Sequence, residues 1–450
     1  MDQIRELPDG SVDSIVTDPP YELGFMGRTW DSTGIAYSVP MWNQSLRVLK
    51  PGGHMLAFGG SRTYHRMACA IEDAGFEIRD QIMWIYGSGF PKSLDVSKAL
   101  DKVAGADRSV TGSGRGRTGT AAQPNGGSNF SDDNYQWPGE FEITSAATDA
   151  AKQWDGWGTA LKPAHEPIVV ARKPLVGTVA ANVLKHGTGA LNIDRCRIEW
   201  PLSGPPQIGT SAWGGAAKKL TAMPGQDGPT VERQAPSELG RWPANVIHDG
   251  SDEVLRCFPN APGQQADVTG EEPSLPAKNV YGKYRRVASR TRVGEGSANA
   301  RYATKGSTNF AALPGERRLD TGTAARFFYC AKADREERNR GCESLGKKPL
   351  LWSSGTQSPG TFQAEGTDRS AQNNHPTVKP VDLMAYLCRL VTPPGGTVLD
   401  MFTGSGSTGI AALRGGFHFI GIERNPEYVQ IARLRIEGDA PLLNKCEELL

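Results

Sequence analysis

No Cys-x-x-Cys pair occurs among the seven cysteines, which are scattered and odd in number. That spacing argues against a zinc site and against a disulfide framework, and it fits a reducing compartment. Apolar runs are short: none approaches the ~20 residues a membrane span needs, and no secretory signal opens the chain. Neither sign of charge dominates, since 50 basic side chains face 49 acidic ones. A uniformly basic coat is therefore excluded, and any surface for a polyanion must be local. No glycine turn is followed by Gly-Lys-Ser/Thr, which argues against a nucleoside triphosphatase. These absences describe a soluble cytoplasmic protein with no metal and no membrane partner. Its 450 residues suffice for two or three domains.

What is present falls into three regions. From Leu7 to about Phe90, strand and helix signals alternate: strand Val12–Thr17, helix Met41–Leu49, breaker Lys50–Gly53, strand His54–Phe58, helix Tyr64–Ala74 and strand Glu77–Tyr86. From Pro376 to Glu437 the rhythm returns, with helix Val381–Val391, strand Thr397–Met401, helix Ser407–Arg414, strand Phe417–Ile422 and helix Pro426–Arg435. Such alternation predicts βαβ units and a mostly parallel sheet, an α/β fold of the Rossmann-like kind. Between these halves, Ala104–Trp154 is rich in Gly, Ser, Thr and Asn, as expected of a surface insertion. Ala171 to about Ala325 mixes short apolar islands with Gly/Pro-rich stretches, and its basic residues cluster between Lys278 and Lys305 with tyrosines interleaved.

Val398-Leu399-Asp400-Met401-Phe402-Thr403-Gly404-Ser405-Gly406 is an apolar strand entering a glycine turn. A turn of this kind lets backbone N–H groups approach a bound nucleotide. Ser407 is the expected N-cap of the following helix, and Phe402 suits stacking on an adenine ring or burial in a core. Glu423 ends the next strand, about 20 residues on, the spacing at which an acid meets ribose hydroxyls. The alternative for the turn is an ordinary strand-to-helix connection.

Ile15-Val16-Thr17-Asp18-Pro19-Pro20-Tyr21 is an apolar strand ending in a rigid acidic-aromatic tip. An exocyclic amine on adenine or cytosine is a poor nucleophile because its lone pair is delocalised into the ring. Two acceptors on its hydrogens, the Asp18 carboxylate and the Pro19 carbonyl, would draw the nitrogen toward tetrahedral geometry. The prolines at 19 and 20 keep both acceptors aimed, which is electrostatic preorganisation. Tyr21 can stack on a base swung out of a duplex. The alternative is a turn in which Asp18 caps the backbone.

With both motifs in place, the chain resembles the amino-group DNA methyltransferases that use S-adenosyl-L-methionine. Within them it resembles the beta class, in which the Asp-Pro-Pro-Tyr motif precedes the cofactor motif, and especially methylases of phage and prophage genomes. Further stretches carry the resemblance: Arg47–Gly60, Trp84–Ser93 and His375-Pro376-Thr377-Val378-Lys379-Pro380. It implies a target-base site at Asp18, Pro19, Pro20 and Tyr21. It also implies cofactor contacts at Asp400, Phe402, Gly404, Ser405 and Gly406, with Glu423 on the ribose and Thr377 and Lys379 lining the methionine end. A solvated lysine at a helix start is the alternative for Lys379. Phe25, Met26, Trp30 and Asp31 are expected on a loop that closes over DNA.

The domain organisation implied is a catalytic half at 1–173 with an insertion at about 104–153, a target-recognition region at 174–325, a cofactor half at 326–437 and a tail at 438–450. Double-stranded DNA is the implied partner, with contacts expected at Lys283, Arg285, Arg286, Arg290 and Arg292. A solvated basic linker is the alternative for that stretch. A homodimer is an open expectation, as is service in restriction–modification. Relatives begin with a strand and a Gly-Asp pair ahead of the catalytic strand, and here that strand is missing, so the natural start is expected upstream or the sheet edge is open. The implied reaction is methylation of adenine N6. Methylation of cytosine N4 is its rival, and an RNA or protein-amide acceptor is a more distant one.

Overall fold

Val12-Asp13-Ser14-Ile15-Val16-Thr17 forms a strand, β1, in which all six residues are buried. Successive side chains face opposite sides, so Ile15 joins one apolar cluster and Val16 the other. A strand covered on both faces belongs in a parallel sheet. Its polar members are all satisfied. Asp13 receives Lys50 Nζ at 2.6 Å and the Thr397 N–H at 2.8 Å, and Ser14 shares a hydrogen bond of 2.8 Å with Thr392.

The computed structural model describes residues 2–23, 29–89, 93–115, 140–200, 239–259, 277–279, 282–284, 323–331, 336–349 and 370–439. The strands in chain order are β1 (Val12–Thr17), β2 (Leu49–Phe58), β3 (Glu77–Ile85), β4 (Val110–Arg115), β5 (Glu140–Thr144), β6 (His165–Arg172), β7 (Val246–His248), β8 (Ala277–Asn279), β9 (Gly282–Tyr284), β10 (Tyr329–Cys330), β11 (Lys348–Pro349), β12 (Ser370–Ala371), β13 (Thr397–Asp400) and β14 (His418–Gly421). The main sheet has the order β10-β7-β3-β6-β2-β1-β13-β14. Only β6 runs against its neighbours, and every other pairing in the sheet is parallel. The sheet is thus mostly parallel with helices on both faces, the Rossmann-like α/β architecture. Helices Val381–Val391 and Ser407–Arg414 cover one face, and helices Val39–Val48 and Tyr64–Asp73 cover the other.

The chain leaves β1 toward β2 on one side, and from β13 continues to β14 on the other. The crevice between β1 and β13 is therefore a topological switch point, where open α/β sheets offer their strand ends to a ligand. Two details depart from expectation. Pairing of β2 begins at Leu49, opposite Val12, and resumes with His54 opposite Ser14, so the breaker Lys50–Gly53 loops out inside the strand as a bulge. The last helix runs Pro426–Asp439, beyond the expected end at Arg435.

Two compact units divide the chain. The first comprises Met1–Cys196, Ala244–Cys257 and Phe328–Leu450 and holds the whole main sheet. It includes β7, which lies inside the span expected to read DNA. Within it, β4 and β5 form an antiparallel ribbon, and the buried Asp101 anchors the residues around the ribbon through Arg108 Nη1 at 2.6 Å and the N–H groups of Ala147 and Thr148. The second unit comprises Arg197–Pro243 and Phe258–Phe327. Its described part contains the β8–β9 ribbon and an arginine–aromatic stack in which Arg241 lies 4.7 Å from the Trp200 ring and 4.8 Å from Phe327. Among the described residues no helix is long and apolar enough to cross a membrane.

Candidate active site

The two motifs meet at the C-terminal ends of adjacent parallel strands. In β1 and β13, Ser14 pairs with Val398 and Ile15 with Leu399, so Thr17-Asp18 and Asp400-Met401 emerge side by side. A hydrogen bond joins them directly, from Thr17 Oγ1 to Asp400 Oδ1 at 2.7 Å. Asp400 also receives Thr408 Oγ1 at 2.6 Å and the Phe402 N–H at 3.0 Å, so its carboxylate ties β1, the glycine turn and the following helix together. Burial pushes the Asp400 carboxyl up to about 6, against those three donors and with the Asp18 charge adding to the rise.

That shift has a sign. A folded-state pKa raised above the unfolded value gives a contribution fully present below about pH 4 and lost as pH climbs through about 6. Asp400→Asn should therefore gain stability relative to wild type between pH 4 and 7, by on the order of 1–3 kcal/mol. Urea midpoints across that window check it, and a constant difference between the two proteins contradicts it.

The turn itself requires left-handed backbone. Gly404 has φ +53° and Gly406 φ +83°. A Cβ on Gly404 would lie 2.8 Å from His375 Nε2, and one on Gly406 would lie 3.0 Å from the Ala432 Cα. Gly406, not Ser407, is the N-cap of helix Ser407–Arg414: only a residue at ease with positive φ fits there, so the serine is displaced into the first turn. Glu423 closes the loop from β14, receiving the Gly404 N–H at 2.9 Å and the Asn425 N–H at 2.8 Å. Burial raises its carboxyl pKa, opposed by those same backbone donors. Phe402 and Met401 line a small apolar pocket with Ile4, Ile35, Met41 and Ile422.

Ser405 is buried and is braced from an unexpected quarter. Arg435, which is fully buried, donates from Nη1 to the Ser405 carbonyl at 2.6 Å, to Ser405 Oγ at 3.0 Å and to Ser407 Oγ at 3.2 Å. Its Nη2 donates to the Glu337 carbonyl at 3.2 Å.

Asp18 stands in an ion pair. Its Oδ2 lies 2.6 Å from Lys379 Nζ, which is also 3.4 Å from Glu166 Oε2. Asp18 Oδ1 is buried and has no hydrogen-bond partner among the described residues. Tyr21 donates its hydroxyl to Glu166 Oε2 at 2.8 Å, and its carbonyl receives Thr63 Oγ1 at 2.7 Å. Burial, followed by the Glu166 charge, raises the pKa of Tyr86, just past the end of β3. The Lys379 ammonium sits 5.3 Å from the Tyr21 ring centroid and 5.0 Å from that of Phe58. Burial alone would pull the lysine pKa down, but the Asp18 and Glu166 carboxylates outweigh it and raise the net value, so the side chain stays a cation. Burial, followed by the charges of Asp18 and Glu166, holds Tyr21 well above its ordinary value as a neutral phenol. Pro19 is buried and Pro20 half-buried beside this cluster.

The segment carrying Lys379 is fixed to the rest of the unit. Arg338 Nη2 donates to the His375 carbonyl at 2.6 Å, the His375 N–H donates to Asn373 Oδ1 at 3.1 Å, and Glu337 Oε1 receives the Val381 N–H at 2.7 Å. The His375 ring packs edge-on to Tyr428 at 4.5 Å. Its pKa falls to about 3, chiefly by enclosure, with Arg338, Lys379 and Arg435 adding to the fall against the Thr377 carbonyl. Thr377 itself is exposed.

The structure thus brings together Asp18, Pro19, Pro20, Tyr21, Lys379, Asp400, Phe402, Gly404, Ser405, Gly406 and Glu423 at one end of the sheet. Asp31 is buried and accepts the N–H groups of Glu22 and Leu23, at 3.0 and 3.2 Å, so it clips the loop after Tyr21 instead of facing outward. Phe25 and Met26 lie outside the described residues, as do Arg285, Arg286, Arg290 and Arg292. Lys283 lies on β9. Glu166, Arg435, Thr17 and His375 are the members of the site that sequence reasoning missed. Thr17 and His375 lay inside the quoted motifs without a role assigned to them, and Glu166 left a trace as a lone acid heading the apolar run Ile168–Ala171. Among the described residues, no group of three or more His, Cys, Asp or Glu side chains is placed to hold a metal ion.

Comparison with known proteins fits this geometry. A family model described as DNA methylase matches residues 12–195 and 258–434. Among curated proteins, a Type II methyltransferase of Streptococcus pneumoniae, M2.DpnII, is 46% identical over 65 residues, 14% of this chain and 24% of the relative. The Type II methyltransferase M.BglI of Bacillus subtilis is 43% identical over 65 residues, 14% of this chain and 19% of the relative. The matches thus span a quarter or less of those relatives' length. Among solved structures, a putative DNA modification methylase from Thermus thermophilus, complexed with S-adenosyl-L-methionine, aligns over 98% of this chain and 91% of its own at 14% identity. Its TM-score is 0.33, too low to support an argument. The family match spans well over half of the sequence and covers both the strand that presents Asp18 and the strand that presents Gly404: the chain belongs to the DNA methylase family.

Proposed function

We propose that this chain is a site-specific DNA methyltransferase that transfers the methyl group of S-adenosyl-L-methionine to the exocyclic amine of adenine. The observation that carries the proposal is the meeting of Asp18 and the Gly404–Gly406 turn at adjacent strand ends, joined by the Thr17–Asp400 hydrogen bond of 2.7 Å. S-adenosyl-L-methionine, when bound, supplies a methyl group on a sulfonium, electrophilic enough to need no metal. The residues present fit it. The missing Cβ of Gly404 lets the His375 ring pack directly on the turn, Glu423 stands at the turn for ribose hydroxyls, and the apolar pocket beside Phe402 suits an adenine ring.

The chain's own residues do the rest. Tyr21 stacks on the flipped base, as enzymes working on bases require. Asp18 Oδ1, a buried acceptor without a donor among the described residues, takes one amine hydrogen, and the Pro19 carbonyl takes the other. Lys379 holds Oδ2 so that the carboxylate does not rotate away. Aspartate at position 18 favours adenine over cytosine N4. The test is a transfer assay with methyl-labelled cofactor and DNA, RNA and protein as competing acceptors, followed by digestion of the DNA to nucleosides. Label in N6-methyladenine supports the proposal. Label in N4-methylcytosine selects the rival base, and label only in RNA or protein rejects a DNA substrate.

DNA reading is assigned to the segment between the two halves, and Lys283, Arg285, Arg286, Arg290 and Arg292 are proposed to meet phosphates. Replacing the four arginines with alanine should flatten the plot of log affinity against log salt by up to about 0.9 for each phosphate no longer neutralised. An unchanged slope places them away from the interface.

A further inference from the structure

Two carboxylates, one ammonium and two phenols share the space at the end of β1. Asp18 and Glu166 both reach Lys379, at 2.6 and 3.4 Å, and Glu166 also receives the Tyr21 hydroxyl at 2.8 Å. Glu166 comes from the one antiparallel strand of the main sheet, opposite Trp84 of β3. An isolated Asp18–Lys379 pair would be electrically neutral. Methyl transfer moves positive charge toward the amine: the nitrogen lone pair forms the N–C bond as the C–S bond breaks, its electron pair stays on sulfur, and the nitrogen then gives its surplus proton to Asp18 and on to solvent. A neutral pair beside that nitrogen would stabilise the arriving charge poorly, because electrostatic preorganisation depends on the net field at the reacting atom.

We propose that Glu166 is a positioning residue of the base-gripping site, sharing Lys379 with Asp18 so that the cation orients the carboxylate while the cluster keeps one net negative charge, and fixing Tyr21 by its hydroxyl. This rests on the methyl-transfer function proposed above. The groups facing Lys379 are Asp18 and Tyr21 at the end of β1, Glu166 on β6, Phe58 on β2 and His375 on its own segment, with Tyr86, just past β3, behind Glu166 and Asp400 behind Asp18. His375, with its pKa near 3, is neutral at working pH. The phenols are neutral as well.

Glu166→Gln keeps the shape and removes the charge. In single-turnover methyl transfer it should be about 100-fold slower near pH 7.5, at the low end of the range expected when an electrostatic partner is removed, with cofactor Kd within threefold of wild type. Its rate should climb with rising pH as Lys379, holding one anion instead of two, gives up its proton more readily than in wild type, whereas wild type stays flat over the same range. A readout independent of turnover is the Lys379 Cε resonance, which should titrate at lower pH in the variant than in wild type. The double variant Glu166→Gln with Lys379→Met restores one net negative charge and should be faster than Glu166→Gln alone. If Glu166→Gln folds poorly, that double variant, in which Asp18 is the one charge left in the cluster, is compared with Lys379→Met instead, and rates within threefold of each other are expected because Glu166 acts through Lys379. The proposal is overturned by a Glu166→Gln rate equal to wild type, by a pH profile parallel to wild type, or by a cofactor Kd raised tenfold with the transfer rate unchanged. The last outcome would assign Lys379 to the cofactor. Wild-type protein that labels no acceptor at all would instead reject the methyl-transfer function.

Discussion

Asp18→Ala should lower single-turnover methyl transfer by at least about 10³-fold, at the upper end of what a preorganised electrostatic group commands. Cofactor affinity should stay within threefold. The two halves of that expectation come from different hydrogen bonds. The carboxylate is the group with a buried acceptor to spare, Oδ1, while its other oxygen is held by Lys379. The cofactor turn depends instead on Asp400, which is anchored by Thr17, Thr408 and the Phe402 N–H. Removal of Asp18 leaves Lys379 within 3.4 Å of Glu166, so the cation is not orphaned and the several kcal/mol penalty of an unpaired buried charge is avoided. Rapid-quench transfer with labelled cofactor, alongside calorimetric titration of the cofactor, measures both halves. Activity within a few-fold of wild type removes Asp18 from the chemistry. A parallel loss of cofactor binding means that the two motifs are coupled more tightly than their separate anchors suggest.

How much of this was legible in the sequence depends on the range of the forces involved. Helices Val381–Val391 and Ser407–Arg414 fall where periodicity places them, because their ends are set locally, by Thr392-Pro393 and by glycines. Strand β1 and the tip Asp18-Pro19-Pro20-Tyr21 are likewise local. The three-residue strand β7 is not. Val246-Ile247-His248 is too short to show a period, and it becomes a strand only because Met83, Trp84 and Ile85 of β3 offer it a parallel edge. The reversed direction of β6 carries no sequence signal either. Glu166 and Tyr21 are 145 positions apart, and Arg435 braces Ser405 across 30. Such partners are chosen by the closure of the sheet and by the need to satisfy buried charge, and a single sequence read locally contains neither. The N-cap of helix Ser407–Arg414 shows the same conflict on a small scale. Serine has the better side chain for a cap, but the position demands positive φ, and glycine takes it.

Gly404→Val should abolish measurable cofactor binding while leaving the fold intact. At φ +53° a β-branched residue is strained by roughly 1–3 kcal/mol, and relief by rotating the backbone would withdraw the Gly404 N–H from Glu423, 2.9 Å away. The new side chain also has nowhere to go, because its Cβ would lie 2.8 Å from His375 Nε2 and 3.0 Å from Cε1. His375 cannot yield freely. Its carbonyl is held by Arg338 at 2.6 Å, its N–H by Asn373, and its ring lies against Tyr428. Either the turn flattens and Glu423 loses its place, or the His375 segment shifts and carries Lys379 with it. In both cases the surface that would meet the cofactor is lost, and an affinity drop of at least 100-fold is expected. The turn stays anchored to the sheet through Asp400 and Arg435, so the circular dichroism spectrum should be unchanged and the melting temperature should fall by only a few degrees. Calorimetric titration of S-adenosyl-L-methionine decides the matter. Affinity within threefold of wild type would mean that the glycine turn is only a strand-to-helix connection, and that the cofactor, if there is one, binds elsewhere.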